Sequence, residues 1–147
     1  MIIDDDQHIG EVLKTVKTIA VVGCSPKEGS PKCYVPAFLQ SCGYRVIPVN
    51  PMYDSVLGEK CYASLRDIPE RIDMVECFRP SADIPPLAED AIAVGAKVLW
   101  MQIGVINHEA AQRASASGLT VVMNRCPREE IPRMFPEGFS VASPQMP

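Results

Sequence analysis

Segments of helical period and segments of strand period take turns along this chain, and that alternation constrains the fold more than any other feature. Ile9, Val12, Leu13 and Val16 recur at i, i+3, i+4 and i+7, which is one apolar face of a helix with Asp6 as its expected N-cap. A β-rich run follows at 18–22 and stops at Gly23. It is apolar without alternation, as a strand covered on both faces should be. Tyr34, Val35, Phe38, Leu39 and Cys42 return to helical spacing, with Gly43 as the expected C-cap. Further strands are predicted at 44–49, 73–78, 97–103 and 119–123. Helices are predicted from Pro85 to Gly95, from the cap at Asn107 through Ser117, and briefly over 127–134. A small edge strand is expected near 56–57 or 60–62. Strands joined in this way by helices give an α/β fold, a doubly wound and mainly parallel sheet of five or six strands with helices on both faces.

The chain has 147 residues, one ordinary domain by length. We place that domain at residues 1–134 and read 135–147 as a Pro-rich tail. Fourteen Lys plus Arg against eighteen Asp plus Glu give a formal net charge of −4, a poor field for nucleic acid or an anionic membrane surface. A small anionic ligand is still allowed, because a helix end and a few cations can hold one phosphate. No apolar run approaches the roughly 18 residues of a membrane span. The start, Met1-Ile2-Ile3-Asp4-Asp5-Asp6, is acidic where a secretory signal is basic, so a cytoplasmic location is expected. The six cysteines contain no CxxC pair and are accompanied by only two His. They are expected to be small, mostly buried side chains with no metal among them.

In an open α/β sheet, ligands bind beyond the carboxyl ends of the strands. The first such end reads Gly23-Cys24-Ser25-Pro26-Lys27-Glu28-Gly29-Ser30. Gly23 allows a tight exit from the strand. Ser25 and Ser30 offer hydroxyls, Lys27 and Lys32 offer charge, and the helix that follows is expected to aim free N–H groups and its positive end at the same place. This is the expected phosphate site. It is not a standard dinucleotide loop, since Ser25 and Glu28 stand where GxGxxG needs glycine and the second strand ends in Asn50-Pro51 rather than in an acid. No Gly-Lys-Ser/Thr motif is present either. The two histidines, His8 and His108, face no nucleophile motif and are expected to be solvated surface groups.

The strings Ile19-Ala20-Val21-Val22-Gly23-Cys24-Ser25-Pro26 and Gly43-Tyr44-Arg45-Val46-Ile47-Pro48-Val49-Asn50-Pro51 closely resemble the small single-domain CoA-binding proteins. So do Phe78-Arg79, Trp100-Met101-Gln102-Ile103-Gly104-Val105 and Asn124-Arg125-Cys126-Pro127. These proteins share the Rossmann-like domain found at the N-terminus of the succinyl-CoA synthetase α subunit. The resemblance implies coenzyme A, free or acylated, as the ligand. Gly23, Cys24, Ser25, Pro26, Lys27, Ser30 and Lys32 would hold its phosphates. Val49, Asn50 and Pro51 would border the adenosine, while Phe78 and Arg79 would close the opposite side. Gln102, Gly104 and Arg125 would lie farther across the sheet. Met52 stands where many relatives have a basic residue, and Asn124 replaces the Asp usual before Arg-Cys. Cys126 is expected to be packed under its loop rather than reactive towards CoA. The reading is therefore a non-catalytic CoA-binding module, with CoA as partner and a homodimer left open. The alternative is an enzyme acting on a CoA thioester, completed by a partner chain.

Overall fold

A computed structural model describes residues 1–141. Five parallel strands form the main sheet in the order β2–β1–β5–β6–β7. They are β1 (Thr18–Val22), β2 (Arg45–Val49), β5 (Met74–Cys77), β6 (Val98–Met101) and β7 (Thr120–Val122). The remaining short strands, β3 (Ser55–Val56) and β4 (Glu59–Lys60), pair with each other as an antiparallel hairpin outside this sheet. The small edge element expected near 56–62 is that hairpin, and the main sheet has five strands. Pro48 fits because β2 is the edge of the main sheet, and on its outer side the Pro48 carbonyl accepts the Tyr62 N–H at 3.0 Å, so the missing proline N–H is not needed there.

Each strand's connection climbs back over one face. Helices α1 (Asp6–Thr15), α2 (Pro31–Ser41) and α5 (Pro127–Met134) share a core with Ile19, Val21, Val46 and Trp100. Helices α3 (Ile84–Ala93) and α4 (His108–Ala116) cover Ala20, Ile47, Val75 and Leu99 on the other. Successive residues of one strand thus feed opposite cores, so the interior strands are apolar without alternation. Alanines 88, 91, 110, 111 and 114 on α3 and α4 are all buried. Such small side chains let helix backbones approach the sheet and each other closely.

Two helix starts differ from the sequence expectation. The cap of α1 is Asp5, not Asp6, and its carboxylate accepts the His8 backbone N–H at 3.0 Å. Helix α2 begins at Pro31, ahead of the apolar spacing that opens at Tyr34. Ser30 caps it, and proline at the first position has no N–H to leave unpaired. Beyond α5 the chain continues across the same face. Phe139 meets the rings of Tyr44 and Phe135 at 6.1 and 4.6 Å, and the Val141 N–H donates to the Cys42 carbonyl at 2.8 Å. Of the expected tail, residues 142–147 lie outside the described residues. Among the described residues, no helix is long and apolar enough to cross a membrane.

One side chain holds the amino ends of the strands in register. Asp73 Oδ2 accepts the backbone N–H groups of Lys17 at 2.9 Å and Thr18 at 3.1 Å. Its own carbonyl accepts those of Lys97 and Val98. Replacing Asp73 by Ala removes the acceptor for two part-buried donors. Chemical denaturation should show a stability loss of about 2 kcal/mol.

Candidate functional site

The strand order reverses direction between β1 and β5, and it is there that an open α/β sheet leaves a crevice at its carboxyl edge. Gly23 stands at this point with φ +93°, and a Cβ placed on it would lie 2.5 Å from the Phe78 carbonyl oxygen. The glycine is needed twice over: for a backbone angle that L-residues avoid, and for the close approach of the chain leaving β5. The Gly23 N–H donates to the Val49 carbonyl at 2.8 Å, and the Phe78 N–H to the Val22 carbonyl at 2.9 Å. Three strand ends are thereby locked together.

The loop from Gly23 to α2 is organised by its own hydroxyls. Ser25 Oγ accepts the Lys27 N–H at 3.1 Å, and Ser30 Oγ accepts the Lys32 N–H at 3.2 Å. The Cys33 N–H is taken by the Ser30 carbonyl at 2.9 Å. With Pro31 lacking a donor, the start of α2 does not present the row of free N–H groups expected from sequence. Its contribution to an anion is the positive end of the helix, the two serine hydroxyls and the Lys27 and Lys32 side chains. In the loop itself, the Glu28 and Gly29 amides donate to no group among the described residues. Both point to the loop, rather than the helix turn, as the source of backbone donors.

Clefts open on either side of this loop. The first, about 500 Å³, lies over the ends of β1 and β2 and is bordered by Gly23, Val49, Asn50, Pro51 and Arg79. The second, about 570 Å³, lies between α2 and α5 and is bordered by Ser30, Lys32, Phe78, Gln102 and Cys126. An elongated ligand with an anionic middle fits this arrangement: one end in each cleft and the charge at the loop.

Residues 17–132 match the family described as the CoA binding domain. The chain belongs to that family. It is 42% identical over 119 residues to an uncharacterized protein, YneT, of Bacillus subtilis (strain 168), covering 81% of this chain and 88% of YneT. A hypothetical protein from Pyrococcus horikoshii OT3 superposes with a TM-score of 0.86 at 43% identity, over 89% of this chain and 92% of that one. An ADP-forming acetate–CoA ligase of Methanocaldococcus jannaschii is 31% identical over 81 residues, which is 55% of this chain but 12% of the ligase. The chain is thus homologous to a small part of that enzyme and spans most of the two smaller proteins.

Within this CoA-binding domain, the expected residues divide by position. Gly23, Val49, Asn50, Pro51 and Arg79 come together at the first cleft, and Ser30, Lys32, Phe78 and Gln102 at the second. Cys24, Ser25, Pro26 and Lys27 form the start of the loop between them, with the Cys24 side chain turned fully into the core. Asn50 builds the site: its Nδ2 donates to the Cys24 carbonyl at 3.0 Å and its Oδ1 accepts the Met52 N–H at 2.9 Å. Arg79 is exposed and paired with Asp83 at 2.8 Å, so an incoming phosphate must compete for it.

Gly104 and Arg125 are not brought into either cleft. The Gly104 N–H donates to Asn124 Oδ1 at 2.7 Å. Asn124 itself has φ +59°, a conformation that asparagine tolerates. The Arg125 guanidinium turns to Asp4 at 2.8 Å and Glu130 at 3.1 Å and ties the N-terminus to α5. Arg128, in the first turn of α5, borders the cleft in its stead, with its guanidinium 4.6 Å over the Phe38 ring. Sequence reading missed Arg128, Tyr34 and the 63–65 segment of the first cleft. The alternation at α5 is too short to show which basic residue faces the sheet edge.

The thiols at the site are held protonated. Burial pushes Cys24 up to about 12 and also raises Cys126, against the opposing hydrogen bonds from the Gln102 side chain and the Arg128 and Glu129 amides. Cys126 is 4% exposed and caps α5, which agrees with a packed rather than a reactive cysteine.

Proposed function

We propose that this domain binds CoA or an acyl-CoA across its strand ends and does not itself turn the ligand over. The observation that carries the reading is the Gly23–Ser30 loop placed at the strand-order switch, with an open cleft on each side. Homology to the CoA-binding part of ADP-forming acetate–CoA ligase supports the choice of ligand. In this reading the loop and α2 take the phosphates, and the cleft at Asn50 and Pro51 takes the adenosine. Arg79 exchanges Asp83 for a phosphate oxygen. An enzyme acting on a CoA thioester would need a base beside a nucleophile. His8 is instead engaged with Asp5 at 2.8 Å on the outer surface of α1. Burial raises the Cys126 thiol above its ordinary value, which disfavours the thiolate a nucleophile needs.

Titration calorimetry with CoA tests the reading. Saturable binding is expected, with Ser25→Glu weakening it by at least about tenfold because a carboxylate then faces the phosphates. Arg79→Ala should weaken it by a smaller factor, since an exposed pair with Asp83 must be broken in the unmodified chain. Absence of saturation at millimolar CoA overturns the reading.

A further inference from the structure

The cleft between α2 and α5 has a floor with polar oxygens left unpaired. Gln102 is 8% exposed, borders the cleft, and its Oε1 is buried without a hydrogen-bond partner among the described residues. Behind it, on the sheet face that carries α2 and α5, stands Glu76 of β5. It is fully buried, with both carboxylate oxygens equally without partners. Cys126 completes the group: its thiol faces the Gln102 side chain and lies near the Glu76 carboxyl. Buried polar atoms are almost always satisfied, so three orphan oxygens in one place indicate a missing partner or a group kept neutral. Here both apply. Desolvation raises the Glu76 carboxyl and the Cys126 thiol above their ordinary values, which favours a neutral floor. Val35, Phe78 and the half-exposed Ile103 give the cleft an apolar wall, and Lys32, Arg128 and Glu129 border it as well.

The cleft is continuous with the phosphate loop through Ser30 and Lys32. We propose that it is an acyl-thioester compartment, in which the Gln102 amide pairs with the last amide or carbonyl group of the ligand and the apolar wall of Val35, Phe78 and Ile103 packs against a short acyl chain. This rests on the CoA-binding reading above and sharpens it: the preferred ligand is an acyl-CoA rather than free CoA. The Gln102 amide carries both an acceptor and a donor for such a group. A protonated Cys126 leaves the thioester intact, so the ligand is held without acyl transfer.

Calorimetric titration of the whole chain with CoA and butyryl-CoA tests this. Butyryl-CoA should bind about tenfold more tightly than CoA, from burial of its apolar carbons. Gln102→Leu and, on the surface, Ile103→Trp should each shrink the butyryl-to-CoA ratio to within about twofold. Ile103→Trp keeps the test open if the Gln102 variant does not fold. Equal affinity of the unmodified chain for CoA and butyryl-CoA overturns the acyl compartment and leaves the CoA-binding reading intact, as does a ratio that survives both variants. Failure of every ligand to bind overturns both.

Discussion

Gly23→Ala should unfold the switch point of the sheet at a cost far above that of an ordinary glycine replacement. The added Cβ meets the Phe78 carbonyl oxygen at 2.5 Å and the Phe78 Cβ at 3.2 Å, at a residue whose φ is +93°. Positive φ alone costs an alanine about 1–2 kcal/mol. Here the obstacle is backbone belonging to the chain that leaves β5, so relief requires β1 and β5 to separate at their carboxyl ends. Breaking the Phe78–Val22 and Gly23–Val49 hydrogen bonds brings the expected loss to about 3–4 kcal/mol. Gly29 supplies an internal control. Its φ is +84°, yet nothing lies within 4 Å of the position its Cβ would take, so Gly29→Ala should carry the conformational cost only, about 1 kcal/mol. Denaturation midpoints of the two variants compare directly. Equal losses would show that close approach to Phe78 does not constrain the site. The same separation moves Phe78 and the loop apart, so CoA affinity should fall with Gly23→Ala more than with Gly29→Ala.

The contrast between those glycines marks what could be read from residue order. A glycine that ends a covered strand signals a turn, and the alternating periods gave the five strands and their helical crossovers because both cores draw on runs of apolar residues. The pairing of Gly23 with Phe78 is separated by 55 positions of chain and depends on the order β2–β1–β5. No local pattern encodes it. The same holds for the cations. Arg125 and Arg128 both follow the last strand, and only the packing of α5 on α1 and α2 decides that Arg125 meets Asp4 and Glu130 while Arg128 reaches the cleft. Ser30 was legible as part of the loop, but its role in capping α2 was hidden because Pro31 carries no apolar signal. Glu76 was the least legible residue of all. In sequence it reads as a charge breaking an apolar run, and its complete burial follows from the neighbours at Val21 and Trp100 on either side.

That burial predicts a distinctive pH dependence. Desolvation raises the Glu76 carboxyl well above its ordinary value of 4.5. Below that pH the group is protonated in both the folded and the unfolded chain, and its contribution is fully present. As the pH rises, the unfolded chain gives up the proton while the folded chain keeps it, so stability is lost at about 1.4 kcal/mol per pH unit until the folded-state value is passed. In Glu76→Gln no proton is involved and this slope disappears. Other groups act in the opposite sense. His8 holds Asp5 below the usual carboxylate range, Arg133 does the same for Asp6, and Arg45 for Glu70, so they lose stability on acidification. Subtracting the two denaturation profiles cancels those terms. The difference should be small near pH 4.5 and grow in favour of Glu76→Gln by about 1.4 kcal/mol for each unit above it. Parallel profiles between about pH 5 and 7 would mean that Glu76 is ionised or solvated in the folded chain. A growing difference would identify Glu76 as a stability cost carried directly behind Gln102 and Cys126. If CoA or an acyl-CoA then binds Glu76→Gln more weakly while the variant is the more stable protein, that cost is tied to the ligand and not to the fold.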